Sequence, residues 1–171
     1  KKISLVAVGG YGRGALHPQS DLDLLILAEE IEIQSHGELI EEFLTQLWDA
    51  NLMIGHSVRS IEQCIAFAKA DITINTNLLE HRLIAGNKQI YKDFCLELAK
   101  DLLDDTSVFF HKKLEEQENR YKRHGNTEYN LEPNVKEAPG GLRDLQLIDW
   151  ISTHFFKKND RRQLVSNKIL S

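Results

Sequence analysis

The fold turns on one stretch near the start of the chain. It reads Ile3-Ser4-Leu5-Val6-Ala7-Val8-Gly9-Gly10-Tyr11-Gly12-Arg13-Gly14 and continues, after His17-Pro18-Gln19, as Ser20-Asp21-Leu22-Asp23-Leu24-Leu25-Ile26-Leu27. Residues 3–8 have the apolar, partly β-branched pattern of a short buried strand, and that pattern stops abruptly at two glycines. The run 20–27 begins half-polar and becomes fully apolar, as expected of a second strand whose far end enters a core. Two residues apart on a strand, Asp21 and Asp23 project from one face. Neighbouring carboxylates repel each other unless a cation lies between them. Hard divalent cations such as Mg2+ take oxygen ligands and bridge carboxylates to phosphates. Gly9 and Gly10 allow backbone N–H groups to approach an anion with no side chain in the way, and Arg13 lies in the same turn. The order strand, glycine turn, carboxylate strand therefore predicts a site for a metal-bound nucleoside triphosphate. It is not a Walker loop, because no Gly-Lys-Ser/Thr follows the glycines, and the spacing does not fit the dinucleotide fingerprint.

Outward from this stretch the pattern turns helical. Leu39, Ile40, Phe43, Leu44, Leu47 and Trp48 form one stripe over residues 38–50. A third strand is expected over 52–58, and Ser60-Ile61-Glu62-Gln63 has the form of a capping box that opens a helix. A further helix is expected over 73–85, stopping at Gly86, and an almost unbroken helical pattern from Lys88 to about His124. A polar loop, 126–139, then leads to a last helix that begins at Gly140-Gly141 and runs to about Phe156. Trp48, Trp150, Phe109 and Phe110 read as core residues. Strands and helices are mixed in the first half and only helices occur in the second, so the chain reads as α+β, a small sheet with flanking helices followed by an all-helical region. The division is placed at Gly86, giving 1–86 and 87–171.

Composition narrows the function classes. At 171 residues, 42% of them hydrophobic, the chain suffices for one sizeable core. Residues 1–104 hold 9 Lys/Arg against 16 Asp/Glu, net −7, while residues 105–171 hold 12 against 10, net +2. The overall charge of −5 argues against a general nucleic-acid binder. It allows a local basic site to face a local acidic one. No apolar run approaches the roughly 20 residues needed to cross a bilayer, so no membrane association is expected. Cys64 and Cys95 sit in apolar helical patterns without metal or redox spacing, the reading of a reduced cytoplasmic protein. No basic-then-apolar leader is seen, and the chain reads as a piece of something longer.

A second block carries cations. Lys136 and Arg143 flank Gly140-Gly141 at a helix start, and a helix N-terminus gathers partial positive charge and free N–H groups suited to phosphate. The plainer alternative is a helix entry after Pro139. Arg120, Lys122 and Arg123 fit a solvated face, with Arg120 close enough in pattern to reach the same site.

Gly9 to Gly14 followed by His17 to Leu25 resembles the nucleotidyltransferase signature of the DNA polymerase beta superfamily. In its Gly-Gly-Tyr-Gly-Arg-Gly form it is similar to the bacterial PII protein uridylyltransferases (uridylyl-removing enzymes). Asn130 to Lys136, then Gly140-Gly141-Leu142-Arg143-Asp144-Leu145-Gln146, resembles the segment those enzymes carry after their transferase core, and Gly55-His56-Ser57-Val58-Arg59 resembles their pattern as well. A related Gly-Gly-Ile/Leu-Arg-Asp/Glu segment occurs in glutamine synthetase adenylyltransferases. The resemblance implies a polymerase-beta-like sheet and Mg2+-dependent transfer of UMP from UTP to a tyrosine hydroxyl of the nitrogen-signalling protein PII, with release of pyrophosphate. It implies that Asp21 and Asp23 are the catalytic, metal-binding carboxylates and that Gly9 and Gly10 form the triphosphate turn. Ser20 would help orient the site. Arg13, Lys136, Gly140, Gly141 and Arg143 are the remaining expected nucleotide contacts.

One departure stands out. Superfamily members often add a third carboxylate from a later strand, where this chain has Gly55-His56-Ser57. Either Asp71, Glu80 or Asp144 folds in, or the metal site uses fewer protein ligands. No His-Asp dipeptide is present, so the UMP-removing activity of the full enzymes is not expected in this stretch. The alternatives are an adenylyltransferase acting on glutamine synthetase and a nucleotide-binding regulatory module without catalysis.

Overall fold

A computed structural model describes residues 2–16, 20–101, 106–123 and 134–156. The chain divides into two compact units, Lys1–Leu102 and Leu103–Ser171.

The first unit is a four-stranded sheet, β1 (Ile3–Ala7), β2 (Leu22–Ala28), β3 (Ile54–Arg59) and β4 (Arg82–Gly86), in the order β3-β2-β1-β4. β1 runs antiparallel to both β2 and β4, and β2 runs parallel to β3, so the sheet is mixed. The alternation legible in the sequence sorts its two faces. On one face Val6, Val8, Leu25 and Leu27 pack with Cys64 and Ile65 of α4 (Ile61–Ala70), Leu78 of α5 (Ile72–Leu79) and Phe94 of α6 (Lys88–Asp101). On the other face Ile26 packs against Ile40 and Leu44 of α3 (Gly37–Asp49), flanked by Leu5, Phe43 and Val58. The glycine turn folds as a single helical turn, α1 (Gly9–Gly12), which follows β1 and packs against β2 and α5. A short α2 (Glu30–Ser35), which the sequence reading does not anticipate, precedes α3.

The capping box forms as expected. The Gln63 amide donates to Ser60 Oγ at 3.3 Å and the Ser60 amide donates to Gln63 Oε1 at 3.0 Å. The expected helix over 73–85 is corrected: it ends at Leu79, and residues 82–86 become the edge strand β4. The reason is a long-range pairing that no local window contains, Ser4 with Gly86 and Leu5 with Ala85. Gly86, read from sequence as a helix stop, sits at φ +108°, and a Cβ there would lie 2.4 Å from the Ile3 carbonyl oxygen. The glycine is required by close strand approach. The helical pattern from Lys88 resolves into α6 and α7 (Thr106–Arg123), with 102–105 outside the described residues. α6 packs with the sheet, so the first compact unit continues beyond Gly86.

The second unit joins α7 to α8 (Leu142–Phe156) around Phe109, Ala138, Leu147 and Trp150. Phe109 and Trp150 are buried as expected. Trp48 and Phe110 are not: their side chains are 48% and 38% exposed. No helix among the described residues is long and apolar enough to cross a membrane.

Candidate active site

The ladder between β1 and β2 places the glycine turn beside the carboxylate strand. Ala7 pairs with Leu24, and the Val8 amide donates to the Asp23 carbonyl at 3.0 Å. Asp23 lies within β2, half-buried, on the face that also carries Leu25 and Leu27. Its carboxylate occupies a cradle left by two missing side chains. A Cβ built on Gly9 would lie 3.3 Å from Asp23 Oδ2, and one on Gly55 would lie 2.5 Å from Asp23 Oδ1. Gly9 has φ +56°, the left-handed region that glycine enters without cost, so the chain turns from β1 into α1 directly beside the carboxylate. Asp21 stands exposed one residue ahead of β2, where the neighbouring Leu22 amide donates to the Met53 carbonyl at 2.8 Å. Ser20 is exposed beside it. His17, Pro18 and Gln19 lie outside the described residues.

Asp23 opens into a cleft of about 230 Å³ whose wall includes Gly55, Ser57, Arg59 and Asn77. Asn77, from α5, joins the cleft only through the fold. Its Oδ1 also lies 3.3 Å from the Cβ position of Gly9, so an amide oxygen and a carboxylate oxygen flank the same glycine. In the sequence Asn77 is one of four polar residues among the eight of α5, with nothing to set it apart from the others. Because Asp23 pairs with Gly55, β3 directs Gly55, Ser57 and Arg59 toward the cleft face and turns the His56 side chain to the other, with His56 still bordering the cleft. His56 is exposed and meets Trp48 edge-on, with ring centroids 5.5 Å apart, which is a packing contact.

The three acids proposed as a third carboxylate have other partners. Asp71 caps α5, accepting from the Thr73 amide at 2.6 Å and the Ile74 amide at 3.3 Å. Glu80 forms an ion pair with Arg13, Nη1 to Oε2. Asp144 belongs to the second unit. There it pairs with Arg120 and accepts from Tyr121 Oη at 2.5 Å, Gln117 Nε2 at 3.0 Å and the Gly140 amide at 2.7 Å. Burial pushes the Asp144 carboxyl up, but these hydrogen bonds and Arg120 outweigh it and hold it below the usual carboxylate range. Among the described residues no three His, Cys, Asp or Glu side chains cluster as a metal site. The sequence expects two carboxylates, Asp21 and Asp23, to fit a hard divalent cation; Asp23 lines the cleft and Asp21 stands exposed ahead of β2. The glycine cradle, which leaves Asp23 open to the cleft, is the observation in favour of that fit.

The second block is also corrected in part. The amides at the start of α8 are engaged within the block: Leu142 to the Val135 carbonyl at 2.8 Å, Arg143 to that of Lys136 at 3.0 Å, Asp144 to that of Gly141 at 3.0 Å. Gly140 and Gly141 shape this tight entry, and a Cβ on Gly141 would lie 2.8 Å from the carbonyl oxygens of Val135 and Ala138. Arg143 donates to Gln146 Oε1 at 2.9 Å, lies 3.4 Å from Glu137 and sits over the Trp150 ring at 5.5 Å. Lys136 is exposed. Arg120, read as part of a solvated face, is instead buried against Asp144, while Lys122 and Arg123 are exposed. Residues 124–133 of the polar loop lie outside the described residues.

A glycine turn closing the first strand, and a carboxylate held open on the strand beside it in a small mixed sheet, define a nucleotidyltransferase domain. The nucleotidyltransferase domain family matches residues 1–82 of the chain, and the GlnD PII-uridylyltransferase family matches residues 108–171. The bifunctional uridylyltransferase/uridylyl-removing enzyme of Idiomarina loihiensis is 46% identical over 95% of this chain and 19% of its own length. That of Hydrogenovibrio crunogenus is 46% identical over 100% of the chain and 19% of its own length, and that of Stutzerimonas stutzeri 50% over 90% and 17%. The chain belongs to this uridylyltransferase family of nucleotidyltransferases. It spans about a fifth of the length of the curated relatives it matches.

Proposed function

We propose that this chain supplies the transferase site of an enzyme that moves UMP from UTP to a tyrosine hydroxyl of a PII-type signalling protein and releases pyrophosphate. The observation that carries the reading is the Asp23 carboxylate in its glycine cradle, one hydrogen bond away from the turn that ends β1. In this reading Gly9 and Gly10 give backbone N–H groups close access to the triphosphate. Arg13 adds a cation above the same turn, and Ser20 orients the approach to the carboxylates. Asp21 and Asp23 hold Mg2+, which when bound polarises the α-phosphate and stabilises the charge that develops on the leaving pyrophosphate. The acceptor oxygen forms a bond to the α-phosphorus as the bond to pyrophosphate breaks. A cytoplasmic location goes with a UTP donor and an intracellular signalling acceptor.

One observation favours a second reading, a nucleotide-binding module without catalysis: among the described residues no third acid joins Asp23. The two readings separate in one experiment. The full-length protein is incubated with Mg2+, UTP labelled at the α-phosphate and PII, alongside a thermal shift with the same nucleotide. Label on PII supports the transferase; a Mg2+-dependent UTP shift without label supports the binding module. Label from ATP alone would favour an adenylyltransferase.

A further inference from the structure

Glu80 is one of the acids whose residue type suits a metal, yet it faces away from that task. Its carboxylate is paired with Arg13, and the two side chains are only 9% and 21% exposed. Arg13 in turn lies across the glycine turn: a Cβ on Gly10 would be 3.8 Å from its Nη2, while Nη1 is held by Glu80. The backbone around Glu80 grips the same turn. A Cβ on Gly12 would fall 1.9 Å from the Glu80 carbonyl oxygen, so α1 lies directly on the chain that leaves α5. Two residues on, Arg82 Nη2 donates to the Tyr11 carbonyl at 3.2 Å, and its guanidinium sits 5.3 Å from the Tyr11 ring centroid. Three separate contacts thus join the α5–β4 corner to α1, and one of them fixes the only cation within the turn.

We infer that Glu80 is a positioning residue for nucleotide binding: it holds the Arg13 guanidinium over Gly10, with one face tied down and the other presented to the triphosphate. This rests on the function proposed above and names a determinant of it. An untethered arginine loses considerable rotamer freedom when it binds a phosphate, whereas one already held by a buried carboxylate loses less. The direction of the effect separates this role from plain electrostatics. A carboxylate near a triphosphate repels it, so its removal alone would tighten binding. Loss of a tether weakens binding.

The test uses the full-length protein and isothermal titration with Mg–UTP and with UMP. E80Q should weaken UTP binding about tenfold, the scale of one charge-assisted contact, and leave UMP within twofold. E80D, which keeps the charge on a shorter stem, should recover part of the loss. In an R13Q background E80Q should change nothing further, since there is no guanidinium left to position. Unchanged or tighter UTP binding by E80Q would overturn the assignment, as would an equal loss in the R13Q background, which would mark Glu80 as a general support of the fold. If the parent protein binds neither UTP nor ATP, the proposed function fails and this inference with it. If the parent binds and E80Q binds equally, only the role of Glu80 fails.

Discussion

Replacing Gly55 with alanine puts the Asp23 cradle under a graded test. The added Cβ would lie 2.5 Å from Asp23 Oδ1, and ordinary contact begins at 3.4 Å, so the carboxylate must retreat by about 0.9 Å. The obstructed atom is the end of a side chain, and no backbone atom beyond the adjoining residues lies within 4 Å of the new methyl group, so the strand itself need not move. Gly55 has no left-handed φ, and alanine is if anything favoured over glycine in a strand by about 0.5–1 kcal/mol. The fold should therefore survive while the geometry at the reacting centre is lost. Displacement of a catalytic group by about 1 Å costs on the order of 10²-fold in rate. Single-turnover transfer by full-length Gly55→Ala should fall by that factor, with a melting temperature at or slightly above the parent's. Near-parental transfer in a folded Gly55→Ala protein would mean that Asp23 does not need the position the cradle gives it.

Other outcomes follow from neighbouring contacts. Gly12→Ala meets backbone instead of side chain, at 1.9 Å from the Glu80 carbonyl oxygen and 2.8 Å from that of Ala7, so it should destabilise the first unit by about 1–3 kcal/mol or more in denaturant unfolding. Asp144 is held below the usual carboxylate range, so its stabilising contribution is fully present above about pH 4 and is lost as pH falls through its lower folded value. Asp144→Asn should lower stability at neutral pH and flatten the acid limb of the stability curve, measured by melting across a pH series. An acid limb as steep as the parent's would show that other carboxylates carry it.

The parts legible in the sequence are those set by neighbours along the chain. The strand ending at Gly9-Gly10, the strand that follows Asp21, and the Ser60 capping box each depend on a few adjacent residues, and each forms. β4 does not depend on its own neighbourhood: Arg82–Gly86 reads as the end of a helix until β1 offers it a partner some eighty residues away. The buried polar contacts were equally hidden. Residue type made Glu80 and Asp144 reasonable metal ligands, but only the folded chain shows one paired with Arg13 and the other enclosed by Arg120, Tyr121 and Gln117. The α8 start has the same lesson. Its sequence promises free amides, and a tight turn from Val135 to Gly141 consumes them. Asn77 and Gly55 enter the site through registry and helix packing, which spacing alone does not carry.

The most direct measurement is the intact mass of PII after incubation with the full-length enzyme, Mg2+ and UTP, run beside Asp23→Asn. Asp23 is the carboxylate that the glycine cradle holds open to the cleft, and the asparagine keeps its shape while removing the charge. PII should be heavier by one UMP unit, borne on a tyrosine, with the parent enzyme, and of unchanged mass with a folded Asp23→Asn protein. The same mass increase with Asp23→Asn, or none with the parent, would overturn the proposed transferase site.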